Sequence, residues 1–135
     1  MIGLDTKVLV RYLAQDDARQ AAQSNRLIES FTAREPGFIS IVTLAQAICV
    51  LQDLYARGRG DIASLVNAML QTEGLVIQMS ESDRQALRRF QSSNVDFADY
   101  VIGRMGAAEG CAATLTFDKL AARDAGMCLV PAVGS

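Results

Sequence analysis

Short apolar runs that end on polar or acidic residues alternate with longer segments of helical period along the chain. Ile2–Leu4 predicts a short buried strand, and Thr6–Ala14 a helix with Val8, Leu9, Tyr12 and Leu13 on one side. Asp16-Asp17 marks a turn, with Asp17 a good N-cap for a helix to about Phe31. Ala18, Ala21, Ala22, Asn25, Leu27 and Ile28 set its period. Arg34-Glu-Pro-Gly37 breaks the pattern before an extended Phe38–Ser40. Ile41–Tyr55 reads as a long, very apolar helix, with Gln46 among its polar exceptions. Arg57-Gly-Arg-Gly60 ends it, and Asp61 caps a further helix through about Gln71.

Gly74–Gln78 reads as a strand. Ser80 then caps a helix to Gln91, with Asp83 at N3 approximating a capping box. Ser92-Ser-Asn94 is a loop, Asp96–Glu109 a helix, and Gly110 the residue just past its end. Ala112–Phe117 predicts a strand, Lys119–Asp124 a short helix and Met127–Val130 a last strand. Strands separated by helices, without hairpin signals, argue for an α/β fold with a mainly parallel sheet and helices on both faces. With no internal repeat and no long linker, 1–135 is expected to be a single domain.

Composition narrows the chemistry. Half of the chain is apolar and its net charge is −2, so there is no global basic field to attract nucleic acid. Local cations such as Arg11, Arg88, Arg89, Arg104, Lys119 and Arg123 would have to do so, although scattered basic residues are more often a solvated face. The absence of histidine excludes His-based catalysis and common zinc sites. Cys49, Cys111 and Cys128 form no C-x-x-C pair and are expected to be buried free thiols. The first residues lack a signal-peptide pattern and no apolar run approaches a membrane span, so a cytoplasmic protein is expected.

Asp5 ends the run Met1-Ile-Gly-Leu-Asp5, and Asp118 ends Ala113-Thr-Leu-Thr-Phe-Asp118. Strand-end positions of this kind are where open α/β sheets place ligands. Both residues also suit helix N-caps, and one carboxylate can be cap and ligand together. Asp96 and Asp99 are three apart and share a helix face. Asp96 begins the helix and reads first as a cap, while Asp99 lies in the first turn. Converging carboxylates bind a hard cation such as Mg2+ or Mn2+ and the phosphate it carries.

These residues resemble a known family. Met1-Ile-Gly-Leu-Asp-Thr-Lys-Val-Leu-Val-Arg-Tyr-Leu13 is similar to the opening of PIN domains of the VapC type, the toxins of bacterial toxin–antitoxin pairs. Phe97-Ala-Asp-Tyr-Val-Ile102 resembles the third acidic motif of that family and Thr114-Leu-Thr-Phe-Asp-Lys119 the fourth. Val42-Thr-Leu-Ala-Gln-Ala-Ile-Cys-Val-Leu51 lies where the second belongs. The resemblance implies a three-layer α/β/α domain and a Mg2+- or Mn2+-dependent endoribonuclease that cleaves RNA. It also implies a homodimer held inactive by a cognate antitoxin protein. Asp5, Asp99 and Asp118 match the family's acidic residues, and Gln46 stands where the family has glutamate. Asp96 is a further candidate metal ligand, acting through water. Thr6 matches a small hydroxyl residue beside the first acid, and Thr6, Arg104 and Lys119 are candidate substrate contacts.

The departures matter as much as the matches. A glutamine oxygen can ligate a metal, but it brings no charge and cannot act as a base. Lys7 replaces the usual asparagine, and either pairs with a carboxylate or projects into solvent. Tyr100-Val-Ile-Gly-Arg-Met also strays from the alanine-rich pattern that usually follows the third acid. A catalytically degenerate PIN domain that binds RNA or an antitoxin therefore stands beside the ribonuclease reading. A flavodoxin-like or receiver-type domain is disfavoured by the missing Gly-rich phosphate loop and first-strand Asp-Asp pair.

Overall fold

The computed structural model describes residues 1–133, which form five short strands and seven helices in a βααβααβααβαβ order. The protein is α/β, and every strand pairing among the described residues is parallel. The chain forms two compact units, one ending at Ser80 and the other beginning at Glu81.

In the first unit β1 (Ile2–Gly3), β2 (Gly37–Ile39) and β3 (Leu75–Ile77) lie in that order, with Ile2 opposite Gly37 and Ile39 opposite Ile77. Parallel strands need crossovers, which helix pairs supply. Helices α1 (Thr6–Ala14) and α2 (Ala18–Ser30) connect β1 to β2, and α3 (Ile41–Asp53) and α4 (Arg59–Leu70) connect β2 to β3. The core centres on Leu9, Ile39, Leu44, Ile48, Leu51, Ile62 and Val66, all essentially without exposure. The apolar stripes of α3 and α4 are thus spent inside the unit, leaving Val42 exposed on α3 and Leu54 exposed at its C-cap.

Local chemistry sets the boundaries. Asp17 caps α2 by accepting from the Gln20 N–H at 3.0 Å, and Ser40 caps α3 by accepting from Thr43 at 3.1 Å. The start of α4 differs from the sequence expectation. It begins at Arg59 with Gly58 as its N-cap, so Asp61 sits in the first turn, where its charge opposes the helix dipole's positive end. Gly74, at φ +90°, lies against the Phe31 carbonyl, and a Cβ on Gly37 would sit 2.5 Å from the Phe31 ring. The Gly37 N–H donates to the Gly74 carbonyl at 2.8 Å, so β2 enters the sheet through two backbones pressed onto one aromatic residue.

The second unit comprises α5 (Glu81–Ser92), α6 (Phe97–Ala108), β4 (Leu115–Thr116), α7 (Lys119–Asp124) and β5 (Cys128–Leu129), with Leu115 opposite Cys128. Phe90 and Phe97 meet edge to face at 6.4 Å, a preferred aromatic geometry. Both are fully buried, as are Val95 and Leu87 nearby. Gly110, at φ +91°, follows α6 as expected. Asp83 is not merely a first-turn residue of α5. It is 1% exposed and accepts from Arg104 Nε at 2.8 Å and Nη2 at 3.1 Å, an ion pair joining α5 to α6.

The expectation of buried thiols is corrected. Cys49 is half-buried, but Cys111 and Cys128 are exposed, and none of the three forms a disulfide among the described residues. Cys111 follows the turn after α6, and Cys128 belongs to a two-stranded sheet whose apolar side chains Leu115 and Leu129 are also exposed. No helix among the described residues is long and apolar enough to cross a membrane.

Candidate functional site

Three of the singled-out residues cluster in the first unit. Asp5 caps α1 in an extended conformation, its Oδ1 accepting from the Thr6 N–H at 2.7 Å. The Thr6 hydroxyl donates to Gln46 Oε1 on α3, also at 2.7 Å. Thr6 therefore links the first acid to the amide that stands in the glutamate position. Because Oε1 accepts from Thr6, the Gln46 NH2 is the part left to face other groups. Lys7 is exposed and makes no ion pair or hydrogen bond among the described residues. It lines a cleft of about 260 Å3 with Arg11, Gln20 and Ser24, along α1 and α2. The structure thus supports the second reading of Lys7.

The second unit carries Asp96, Asp99 and Asp118. Asp96 occupies the N-cap position of α6, yet its side chain makes no capping hydrogen bond. The capping role expected from sequence is not filled by its carboxylate, which stays exposed. Asp99 is half-buried in the first turn. Desolvation pushes its carboxyl above the usual range, and the negative charges of Asp96 and Asp118 add to the rise. Asp118 caps α7, Oδ1 accepting from Leu120 at 2.8 Å and Ala121 at 3.2 Å, while Thr116 Oγ1 accepts from its own N–H at 3.0 Å. Among the described residues the carboxylate accepts through Oδ1 alone, so Asp118 is a cap with its second oxygen available as a ligand. Lys119 is exposed at the first position of α7. Two nitrogens of Arg104 are committed to Asp83, so its first role is to hold α5 and α6 together.

One family model, the PIN domain, matches residues 2–126. The chain belongs to the PIN domain family. PIN domains are nucleases, typically metal-dependent, and the parallel α/β architecture is consistent with the PIN fold. No curated protein and no solved structure gives a significant match.

The donor chemistry of this PIN domain suits a hard divalent cation: the candidate ligands are oxygens, and Asp99 bears uncompensated repulsion from two like charges. Among the described residues no three His, Cys, Asp or Glu side chains stand close enough to share an ion. A cation would accordingly take one or two protein carboxylates with water completing its shell, as Mg2+ commonly does.

The raised Asp99 pKa has a stability consequence. An acid held above its unfolded pKa, near 3.9, binds its proton more tightly when folded. The ionised form therefore destabilises the fold, by an amount that grows as pH rises from about 4 and is complete above the folded pKa. Asp99→Asn is expected to raise the melting temperature in EDTA at neutral pH, with the gain vanishing near pH 3. A gain independent of pH would contradict this origin.

Proposed function

We propose that this PIN domain is a VapC-type toxin, a Mg2+- or Mn2+-dependent endoribonuclease that cleaves RNA phosphodiester bonds and is neutralised by a cognate antitoxin. The proposal extends to a cytoplasmic homodimer with Asp5, Asp99 and Asp118 as its catalytic carboxylates, Asp96 assisting at the metal, and Thr6 and Lys119 near the substrate. The observation that carries it is the electrostatic strain on half-buried Asp99, whose carboxyl is held above its usual range by desolvation first and then by the charges of Asp96 and Asp118. In a PIN-family chain, such strain marks a functional carboxylate group rather than a surface accident. The segments at Met1–Leu13, Phe97–Ile102 and Thr114–Lys119 support the narrower toxin assignment by their likeness to its motifs.

In this reading a bound divalent cation supplies Lewis acidity and neutralises charge at the phosphate. The chain's own contribution is orientation. The caps at Asp5 and Asp118 fix those carboxylates against helix N–H groups, and Thr6 fixes the Gln46 side chain. Desolvation of Asp99 strengthens any cation contact it makes. A second reading, a degenerate domain that binds RNA or antitoxin without cleaving, is favoured by one observation: the second acidic position, Gln46, presents an amide.

Cleavage of a fluorescent RNA in Mn2+, with and without EDTA, tests the proposal. Weak EDTA-sensitive cleavage is expected, abolished in Asp99→Asn and Asp118→Asn. Cleavage that survives EDTA or both substitutions would overturn it, and tight RNA or antitoxin binding without cleavage would establish the second reading.

A further inference from the structure

A cleft of about 190 Å3 opens between α5 and α6 of the second unit, walled by Ser82, Gln85, Arg89, Tyr100 and Arg104. Residues 82, 85 and 89 are spaced to share one face of α5, and residues 100 and 104 one face of α6. Asp99 lies in the same helix but does not line the cleft, and no carboxylate does. Two guanidinium groups face a polar space with no anion in its walls.

The two arginines differ in a useful way. Arg104 is anchored, because Nε and Nη2 grip the two oxygens of an Asp83 carboxylate that is only 2% exposed. An arginine carries five N–H donors. Two are committed here, and the end of the guanidinium turned from Asp83 keeps a pair able to grip a second oxyanion. Arg89 is exposed and its guanidinium has no acidic partner among the described residues, whereas its neighbour Arg88 is paired with Glu81. The Gln85 amide and Ser82 hydroxyl have no hydrogen-bond partner among the described residues, while the Tyr100 hydroxyl is shared with Ser93 at 3.0 Å.

We propose that this cleft binds a phosphate group, with Arg104 as the fixed clamp, Arg89 as the mobile second cation, and Gln85 and Ser82 as neutral donors. Planar cationic forks match phosphate oxygens better than point charges do. Fixing one fork in advance reduces the ordering cost of binding. A backbone phosphate of RNA and a small phosphate share this chemistry. In the first case the cleft deepens the nuclease reading by holding the strand on a face of α6 that Asp99 does not use. Phosphate binding itself does not depend on that reading.

The test uses the whole protein in EDTA, so that metal and cleavage play no part. Inorganic phosphate and a short RNA are titrated separately, following the arginine Nε–H resonances by NMR and RNA affinity by fluorescence anisotropy over a salt series. Saturable shifts at Arg89 and Arg104 are expected with at least one of the two. Arg89→Ala should weaken that binding about tenfold or more, and reduce the salt slope for RNA by about one. Gln85→Glu, which places a carboxylate in the cleft, should abolish it. A response to RNA alone identifies a polynucleotide ligand, and a response to inorganic phosphate identifies a small one. Circular dichroism checks that both exposed-site variants stay folded. No saturable shift with either ligand, or unchanged affinity in Arg89→Ala, overturns the proposal. Intact phosphate binding in a protein that never cleaves RNA would sink the nuclease reading and leave this one standing.

Discussion

Gln46→Glu is expected to tighten Mn2+ binding and raise RNA cleavage by roughly two orders of magnitude. A full charge about 4 Å from another contributes about 4 kcal/mol at an effective dielectric of 20. Desolvation and screening leave about two thirds of that, about a hundredfold in affinity. The side chain already accepts a hydrogen bond from Thr6 at 2.7 Å, and a glutamate of the same length can accept it too. The substitution therefore exchanges an amide NH2 for a charged oxygen without losing its tether. Cleavage of a fluorescent RNA by both versions, with and without EDTA, gives the readout. On the proposed toxin reading, the glutamate version should also be toxic to its host unless a cognate antitoxin is present. Equal EDTA-sensitive activity in the two would show that Asp5, Asp99 and Asp118 suffice. Equal inactivity would point to Lys7 or to a protein that has become a binding module.

Arg104→Ala should strongly destabilise the second unit. It removes the bidentate partner of Asp83, whose side chain is 2% exposed. Breaking a buried pair by removing one member costs about 3–5 kcal/mol, or roughly 10–20 °C in melting temperature for a chain of this length. Replacing both residues together, Asp83→Leu with Arg104→Met, should recover most of that loss, because no charge remains to be desolvated. Thermal unfolding followed by circular dichroism distinguishes the cases. A loss below about 1 kcal/mol in the single variant would show that water reaches Asp83 and that the pair is a surface contact.

Where a side chain fixes an element's start, the sequence announces it. Thr6–Ala14 and Lys119–Asp124 are helices over the expected residues, because Asp5 and Asp118 close their first turns. The start of α4 was illegible, since Gly58 has no side chain to signal a cap. Strands proved shorter than their apolar runs because pairing extends only as far as the partner does. Ala112–Phe117 contributes only Leu115 and Thr116 to a ladder. The acidic residues at strand ends could be named from sequence, but the repulsion felt by Asp99 depends on neighbours as distant as Asp118. The Asp83–Arg104 pair was missed although it left a trace. Asp83 lies three, four and seven residues before Ala86, Leu87 and Phe90, on the stripe that α5 buries, and an acid there needs a cation.

The contact of Phe31 with Gly37 and Gly74 reaches beyond packing, to how the chain can diverge. A methyl group at Gly37 meets the ring at 2.5 Å, and one at Gly74 meets the Phe31 carbonyl at 2.7 Å while the backbone stays at φ +90°. A smaller residue at 31 removes the first obstacle but not the second, which is made by backbone. Position 37 is thus free to drift only after position 31 has shrunk, whereas position 74 stays closed whatever occupies 31. The order in which substitutions can accumulate is written into this junction: a shrunken ring must come first, and the reverse order passes through a strained intermediate.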